Sequence, residues 1–222
     1  MRNSLWKWFD DDAPGLFSMN PFVKIRTQVG NRVIRTSEKI LNNRVSRPIP
    51  CDRGRMKLAR LLPDGGTGIE LGVAAGYFSD ALLRCSNLAR LFSIDAWADH
   101  HDSDEYLLAV RRLAKHGNRS VVLRMFFDDA IGLFDDETID FVYLDAYAHA
   151  GQENGKLLDH WWRKLRPGGL FAGHDYDLKW PKTVEAVDAF CDSKDIEPSI
   201  ISGVRTANHQ DSYASWYVFK ND

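Results

Sequence analysis

The sequence predicts an α/β fold built on a doubly wound, mostly parallel sheet of seven strands. Downstream of Gly65, short apolar segments alternate with longer amphipathic ones, so strands alternate with helices and right-handed crossovers are expected. The last two apolar segments, 199–202 and 215–219, are joined by a polar loop without a helix, which predicts a terminal antiparallel hairpin. These patterns indicate a Rossmann-like sheet, preceded by an N-terminal helical extension.

The order of the elements follows from the apolar periodicity along the chain. The remaining predicted strands span 68–72, 90–95, 119–124, 139–145 and 169–174, and the predicted helices lie near 76–88, 103–117, 152–166 and 181–193. Gly72 and Gly76 lie where the first strand turns into the first helix. Glycine at such a turn permits close approach of the backbone to a ligand.

Residues 1–60 are expected to form a helical cap or oligomerisation segment, and residues 61–222 the sheet domain. Between Phe22 and Arg60, eleven Lys or Arg residues stand against two acidic residues, and apolar residues recur at helical spacing up to Ile40. A charge run is usually a solvated face, so a cap or a homo-oligomer contact is favoured. A phosphate-bearing substrate, a nucleic acid and an anionic membrane surface are the alternatives.

Composition indicates an ordinary globular chain. The 222 residues are 44% hydrophobic with a formal net charge of -2, and no segment is apolar and long enough to span a bilayer or to act as a signal peptide. Three scattered cysteines, Cys51, Cys85 and Cys191, predict free thiols better than a disulfide framework or a zinc site. The sequence therefore predicts a cytoplasmic protein whose cysteines act as small buried hydrophobes.

Two acids flank the glycine turn and indicate its ligand. Glu70 lies where a pyrophosphate would be repelled but where a cationic methionine group would be well placed. Asp95 ends the next strand about twenty residues after Gly72, the spacing at which an acid accepts hydrogen bonds from ribose hydroxyls. A nucleotide-like cofactor with a cationic end is therefore expected at this turn.

Over residues 65–220 the chain resembles the class I S-adenosylmethionine (SAM)-dependent methyltransferases. The resemblance is carried by residues 70–76 as the first motif, Asp95 as the ribose acid, 143–145 as the fourth motif and 165–173 before the fifth strand. Residues 173–176 and 183–190 are similar to small-molecule O-methyltransferases of the macrolide-sugar and catechol type. Ala74 departs from the glycine that many members carry.

The resemblance implies a set of cofactor-binding residues around the first, second and third strands. These are Glu70, Gly72, Ala74, Gly76, Tyr77, Phe78, Asp95, Trp97, Phe127, Asp128, Asp129 and Asp145. For Trp97, stacking on adenine and ordinary core packing are both open. For Asp128 and Asp129, an acceptor for the adenine amine and a helix N-cap are both open.

The chemistry is expected at the carboxyl ends of the fourth and fifth strands, where Asp145, His149, His174 and Asp175 converge. The resemblance implies that Asp145, His174 and Asp175 hold Mg²⁺ or Mn²⁺ against the substrate hydroxyl. Histidine departs from the usual Asp-Asp or Asp-Asn pair of the family. Without a metal, His174 is the candidate general base.

A second polar cluster follows the second strand and comprises Asp99, His100, His101, Asp102 and Asp104. Its irregular spacing favours a solvated loop and a helix start over a metal site.

The sequence therefore predicts a SAM-dependent O-methyltransferase of a small hydroxylated molecule, such as a sugar or a secondary metabolite. An NAD-dependent oxidoreductase on a similar sheet is one alternative, and a non-catalytic SAM-binding module is another. Nucleic acid is a less favoured partner, because the chain has no Asn-Pro-Pro-Tyr-like motif and no Pro-Cys nucleophile.

Overall fold

A computed structural model describes residues 50–98, 101–205 and 209–221 of the chain, which form one seven-stranded sheet. Its strands are β1 (Thr67–Leu71), β2 (Arg90–Asp95), β3 (Ser120–Arg124), β4 (Ile139–Leu144), β5 (Leu165–Gly173), β6 (Ser199–Ile201) and β7 (Ser215–Phe219). The order across the sheet is β3-β2-β1-β4-β5-β7-β6. The first five strands pair in parallel, while β7 lies antiparallel to both β5 and β6. The predicted fold class and terminal hairpin are confirmed.

The helices that connect the strands also agree largely with the predicted ones. They are α1 (Tyr77–Cys85), α2 (Ser103–Leu113), α3 (Phe127–Ala130), α4 (Gly151–Asn154), α5 (Lys156–Trp162) and α6 (Pro181–Ser193). Short 3-10 helices span Gly54–Arg60, Ala114–Arg119, Ile131–Leu133, Ala148–Ala150 and His209–Ser212. The helix expected near 152–166 is broken at Gly155, whose φ of 83° interrupts it.

The polar cluster after β2 starts a helix, as predicted. The Asp102 side chain caps α2 by accepting hydrogen bonds from the backbone N–H groups of Asp104 and Glu105. Asp99 and His100 lie outside the described residues.

The core lies on both faces of the sheet, as the apolar strands of a parallel sheet require. One face packs side chains of β1, β4 and β5 against α5 and α6, with Trp161 and Phe171 fully buried. The other face packs α1 and the 3-10 helix Gly54–Arg60 against the sheet, and there Met56 and Leu58 are buried. The segment Gly54–Arg60 is therefore part of the core of the sheet domain.

The chain divides into two compact units, Met1–Val45 and Ser46–Asp222. This division lies earlier than the boundary expected at residue 60, because Gly54–Arg60 packs on α1. The amphipathic helix expected between residues 22 and 40 lies outside the described residues. In the described part of the chain, no helix combines the length and apolarity that crossing a membrane requires.

The expectation of free thiols is wrong for two of the three cysteines. Cys51 and Cys85 form a disulfide with their Cα atoms 5.4 Å apart. The bond ties the residues before the 3-10 helix Gly54–Arg60 to the last turn of α1. Cys191 is a buried free thiol, and burial raises its pKa to about 11. An odd count of scattered cysteines could not reveal a pair that only the fold brings together.

We predict that the disulfide stabilises the sheet domain. It closes a loop with a sequence separation of 34, and restricting the unfolded chain over such a loop contributes about 3 to 4 kcal/mol. The double variant Cys51→Ser/Cys85→Ser should lower the free energy of unfolding by this amount in urea titrations. Dithiothreitol should lower the stability of the wild type to that of the variant, and should not change the variant. Equal stability of wild type and variant without reductant would contradict the prediction.

Candidate active site

The site is built around the glycine turn, residues 72–76, which joins β1 to α1. Gly72 has a φ of 88°, and a Cβ at this position would lie 2.1 Å from the backbone oxygen of Asp145. Only glycine permits both the left-handed conformation and this close approach. The backbone N–H of Asp145 donates to the Leu71 carbonyl at 2.8 Å, so the ends of β1 and β4 are locked side by side.

The Asp95 carboxylate organises this turn. Its Oδ2 accepts hydrogen bonds from the backbone N–H groups of Val73 at 2.9 Å and Ala74 at 3.0 Å, and its Oδ1 accepts from that of Trp97 at 2.9 Å. The Trp97 indole is buried and donates to the Ala74 carbonyl at 2.9 Å. For Trp97 the structure thus shows core packing beside Val73 and Ala109. The role of Asp95 toward a ribose stays a prediction.

A cavity of about 230 Å³ opens beside the glycine turn, and we call it the turn cavity. Its lining consists of Arg55, Glu70, Gly72, Val73, Ala74, Ala75, Tyr77, Phe78, His101, Glu105 and Asp145. Half of the predicted cofactor residues are therefore brought together in one concave site. The other predicted positions, Gly76, Asp95, Trp97, Phe127, Asp128 and Asp129, are not among the described residues that line it.

Glu70 lies in the turn cavity with only 1% of its surface exposed. Burial raises the pKa of its carboxyl to about 8, although the Ser79 hydroxyl donates a hydrogen bond to Oε2 and opposes the rise. A cationic ligand in the cavity would favour the ionised form and offset the desolvation. The role of Glu70 toward a cationic ligand stays a prediction.

Arg55 is the functional residue that the sequence analysis missed. Its guanidinium donates from Nη1 to Asp145 Oδ2 at 2.7 Å and from Nη2 to Asp211 Oδ1 at 3.2 Å. The guanidinium carbon also lies 4.5 Å from the centre of the Phe78 ring. Burial works against its charge, but Tyr143 and the two carboxylates outweigh burial and raise the pKa of Arg55. Arg55 was assigned to the separate basic segment, although it lies only fifteen residues before Glu70.

His174 and Asp175 follow β5 at the same edge of the sheet. His174 is 1% exposed, and its Nδ1 hydrogen-bonds the Ser215 hydroxyl at 2.9 Å. Its Nε2 lies 3.9 Å from Asp175 Oδ1. Burial, followed by the nearby charge of Asp145, raises the pKa of Asp175 to about 7. The structure therefore brings together three of the four predicted catalytic residues.

A buried hydrogen-bonded chain links the two sides of this site. The Ser215 hydroxyl contacts both His174 Nδ1 and the Tyr143 hydroxyl, the latter at 3.1 Å. Tyr143 in turn hydrogen-bonds Arg55, which holds Asp145. The histidine after β5 is thus connected to the aspartate after β4 through residues of β4 and β7.

The other predicted site residues lie away from the turn cavity. His149 is exposed, with its ring centre 4.4 Å from that of Trp180. Phe127 begins α3 and packs in the core. The N-cap of α3 is Phe126, so the N-cap role weighed for Asp128 and Asp129 is not the one they have; both lie in the first turn. Asp128 instead pairs with Lys156 at 2.8 Å.

The predicted metal ligands do not form a metal site. Among the described residues, no group of three or more His, Cys, Asp or Glu side chains is placed to hold an ion. The side chain of Asp145 already binds the Arg55 guanidinium at 2.7 Å. A divalent ion at Asp145 would have to displace the guanidinium from this carboxylate. The donor set therefore does not fit a divalent cation.

Comparison with known protein families agrees with this site. The family model described as a methyltransferase domain matches residues 67–176, a range that includes the glycine turn, Asp95, Asp145 and Asp175. The chain carries a SAM-dependent methyltransferase domain. A sequence comparison with curated proteins finds no match.

Solved structures with the same fold include several methyltransferases. A SAM-dependent O-methyltransferase from Thermotoga maritima is 18% identical with a TM-score of 0.59, over 83% of this chain and 70% of that one. An O-methyltransferase from Bacillus cereus in complex with SAH is 16% identical with a TM-score of 0.56, over 92% and 93%. An rRNA methylase from Streptococcus thermophilus is 17% identical with a TM-score of 0.55, over 80% and 99%. At these identities the likeness shows the methyltransferase fold alone.

The residues of the turn cavity fit the charge of SAM. Glu70 lines the cavity and would pair with a cationic group, and Gly72 lets the backbone approach closely. The same cavity reaches Asp145 at the end of β4, the edge of the sheet where ligands of such folds bind.

We predict that Glu70 makes the stability of the ligand-free methyltransferase depend on pH. Its folded pKa of about 8 lies above the ordinary value of 4.5, so the folded state retains a proton that the unfolded chain releases. The free energy of unfolding should therefore fall as the pH rises from about 4.5 to about 8. Urea titrations between these values should show a flatter profile for Glu70→Gln. Asp175 contributes a slope of the same sign, which ends at a pH of about 7, and the variant retains it. Parallel profiles for the two proteins would contradict the prediction.

Proposed function

We propose that the protein is an O-methyltransferase that methylates a hydroxyl group of a small molecule. The observation that carries the proposal is the position of Asp175. Its half-buried carboxyl lies at the end of β5, within electrostatic reach of Asp145, which lines the turn cavity. A carboxyl whose pKa lies near neutrality beside a cofactor cavity suits a general base. An attacking hydroxyl needs such a group.

When bound, SAM supplies an electrophilic methyl group on a sulfonium. Glu70 holds the cationic end of the ligand, and the backbone of the glycine turn fixes its position against β1. The substrate hydroxyl would accept this methyl group with loss of its proton, and S-adenosylhomocysteine would be the second product. The hydroxyl proton passes to the Asp175 carboxylate. His174, buried and held by Ser215, positions that carboxylate.

This assignment revises the choice of base that the sequence suggested. His174 is almost fully buried, and its Nδ1 is engaged with Ser215. Asp175 is the more accessible of the two, with 14% of its side chain exposed against 2% for His174. Asp175 also has a φ of 60°, and a strained backbone at such a position is typical of functional sites. The more accessible group can reach a substrate.

The substrate class rests on the resemblance to small-molecule O-methyltransferases and on the names of two structural neighbours. Lys179, whose charge acts on Asp175, lies beside two aromatic rings, with its ammonium 4.9 Å from the Trp180 ring centre and 4.7 Å from that of Tyr213. Aromatic side chains with one cation suit a planar or sugar-like molecule carrying polar groups. The rRNA methylase among the structural neighbours makes RNA the alternative to include in every assay.

Partners and location belong to the same proposal. A homo-oligomer formed through residues 1–60 and a cytoplasmic location are what the sequence predicts. A disulfide is unusual in the reducing cytosol, so the Cys51–Cys85 bond bears directly on the location. Thiol labelling of the protein as isolated from cells, before any oxidation, measures whether the bond is present there.

We predict that Asp175→Asn abolishes transfer without preventing cofactor binding. The amide keeps the size of the side chain but cannot accept the hydroxyl proton, so kcat should fall at least about 100-fold. Transfer of radiolabelled methyl from SAM to a panel of hydroxylated small molecules, with total RNA alongside, measures the activity. Calorimetry with S-adenosylhomocysteine should give an affinity within a few-fold of the wild type, because Asp175 does not line the turn cavity.

Asp177→Asn is the matched control, since Asp177 lies on the same loop and accepts a hydrogen bond from the Lys179 backbone. It should leave kcat within a few-fold of the wild type. Full activity in Asp175→Asn would contradict the assignment of Asp175 as the base. Failure of the wild type to bind S-adenosylhomocysteine would contradict the proposed function. Binding of NAD in its place would favour the oxidoreductase.

A further inference from the structure

One cation pairs with two carboxylates at the edge of the turn cavity, of which Asp211 is buried and Asp145 half-buried. Arg55 donates through different nitrogens to Asp145 and to Asp211, which lie 90 and 156 residues further along the chain. The side chains of Arg55 and Asp211 are 5% and 3% exposed, so the triad is largely shielded from water. Buried carboxylates without a cation would be strongly disfavoured. The guanidinium is therefore the fixed positive charge of this part of the molecule.

The guanidinium is held on several sides. It lies over the Phe78 ring and contacts Tyr143. The 3-10 helix that carries it follows closely after Cys51, which is bonded to Cys85 on α1. Such a group is preorganised, because its position does not depend on a ligand. A metal ion has to bind from solution, whereas the position of the Arg55 guanidinium is set when the chain folds.

We propose that the Arg55 guanidinium takes the place beside Asp145 that a divalent ion has in metal-dependent methyltransferases, and that this protein holds no metal at Asp145. Arg55 is a positioning residue. It neutralises and orients the Asp145 carboxylate beneath the turn cavity, and it leaves proton transfer to other groups. This proposal goes beyond the proposed function. Only one consequence rests on that function, namely that methyl transfer does not need a metal.

Three observations carry this inference together. The carboxylate that the resemblance assigns to the metal is bonded to the guanidinium at 2.7 Å. The histidine assigned to the metal is buried with its Nδ1 bonded to Ser215. The second carboxylate of the triad, Asp211, comes from the segment before β7 and was no part of the expected ligand set. The site is thus arranged around a planar guanidinium, whose Nη1 donates to one carboxylate and whose Nη2 donates to the other.

The test measures Mn²⁺ binding to the full chain after dialysis against EDTA, by the loss of the free Mn²⁺ electron paramagnetic resonance signal. Wild type should bind no Mn²⁺ at concentrations up to about 1 mM. Arg55→Met keeps the apolar stem but removes the charge, so Asp145 and Asp211 lose the cation that they share. We expect its Mn²⁺ affinity to exceed that of the wild type at least ten-fold.

Arg166→Met is the matched control. Arg166 pairs with Asp140 at 2.6 Å, and Asp140 is as exposed as Asp145, with 17% of each side chain accessible. Removing Arg166 takes an ion pair from one carboxylate, whereas removing Arg55 takes an ion pair from each of two. No gain in Mn²⁺ affinity is expected for the control, and an equal gain there would overturn the proposal.

Each outcome decides the matter without reference to turnover. Wild type that binds Mn²⁺, with binding lost in Asp145→Asn, overturns the proposal, as does a folded Arg55→Met that gains no affinity. If Arg55→Met does not fold by circular dichroism, Arg55→Lys replaces it, because lysine retains the charge. Arg55→Lys should bind no Mn²⁺, and binding by this variant would overturn the proposal. Binding of S-adenosylhomocysteine, measured on the same samples, reports separately on the proposed function.

Discussion

The Asp95 carboxylate holds the turn on which the rest of the site depends. Three backbone N–H groups, from Val73, Ala74 and Trp97, donate to its two oxygens. Ala74 has a φ of 46°, a left-handed conformation that costs a non-glycine residue roughly 1 kcal/mol or more. The hydrogen bonds to Asp95, together with that from the Trp97 indole to the Ala74 carbonyl, offset this cost. An alanine can therefore stand where many members of the class have glycine.

The shape of this turn brings the charged side chains of Asp145 and Arg55 together beside the turn cavity. Because Gly72 has no side chain, the end of β4 approaches β1 so closely that Asp145 lies beside the turn cavity. A carboxylate brought into that position needs a cation, and the chain provides Arg55 from a segment before β1. The 3-10 helix Gly54–Arg60 is thus tied to the site by charge, to α1 by packing and by a disulfide. The contacts that hold this 3-10 helix on the sheet domain therefore also hold Arg55 in the site.

The sequence predicts the sheet well because each strand is a separate apolar segment between polar turns. The predicted and observed strands β2 and β7 have the same bounds, and β1 and β4 differ by one residue at their ends. Local patterns also locate Glu70 and Asp145 in the turn cavity. Arg55 could not be predicted, because it is one of eleven basic residues between Phe22 and Arg60 and nothing in its local sequence distinguishes it. Its partners lie 90 and 156 residues further along the chain. The Cys51–Cys85 bond could not be predicted for the same reason.

The acidic side chains of this site differ in their surroundings and are therefore suited to different roles. Asp145 and Asp211 contact the guanidinium, so their charge is already matched by a group of the protein. Glu70 and Asp175 are buried without that direct contact, and burial raises their pKa values to about 8 and about 7. Carboxyl groups in this range can gain or lose a proton near neutrality, and a cationic ligand shifts the balance toward ionisation. Glu70 faces the turn cavity and Asp175 follows β5, so one is suited to hold a cationic cofactor and the other to take a proton. Four carboxyl groups at one edge of a sheet thereby acquire distinct roles because a single arginine pairs with only two of them.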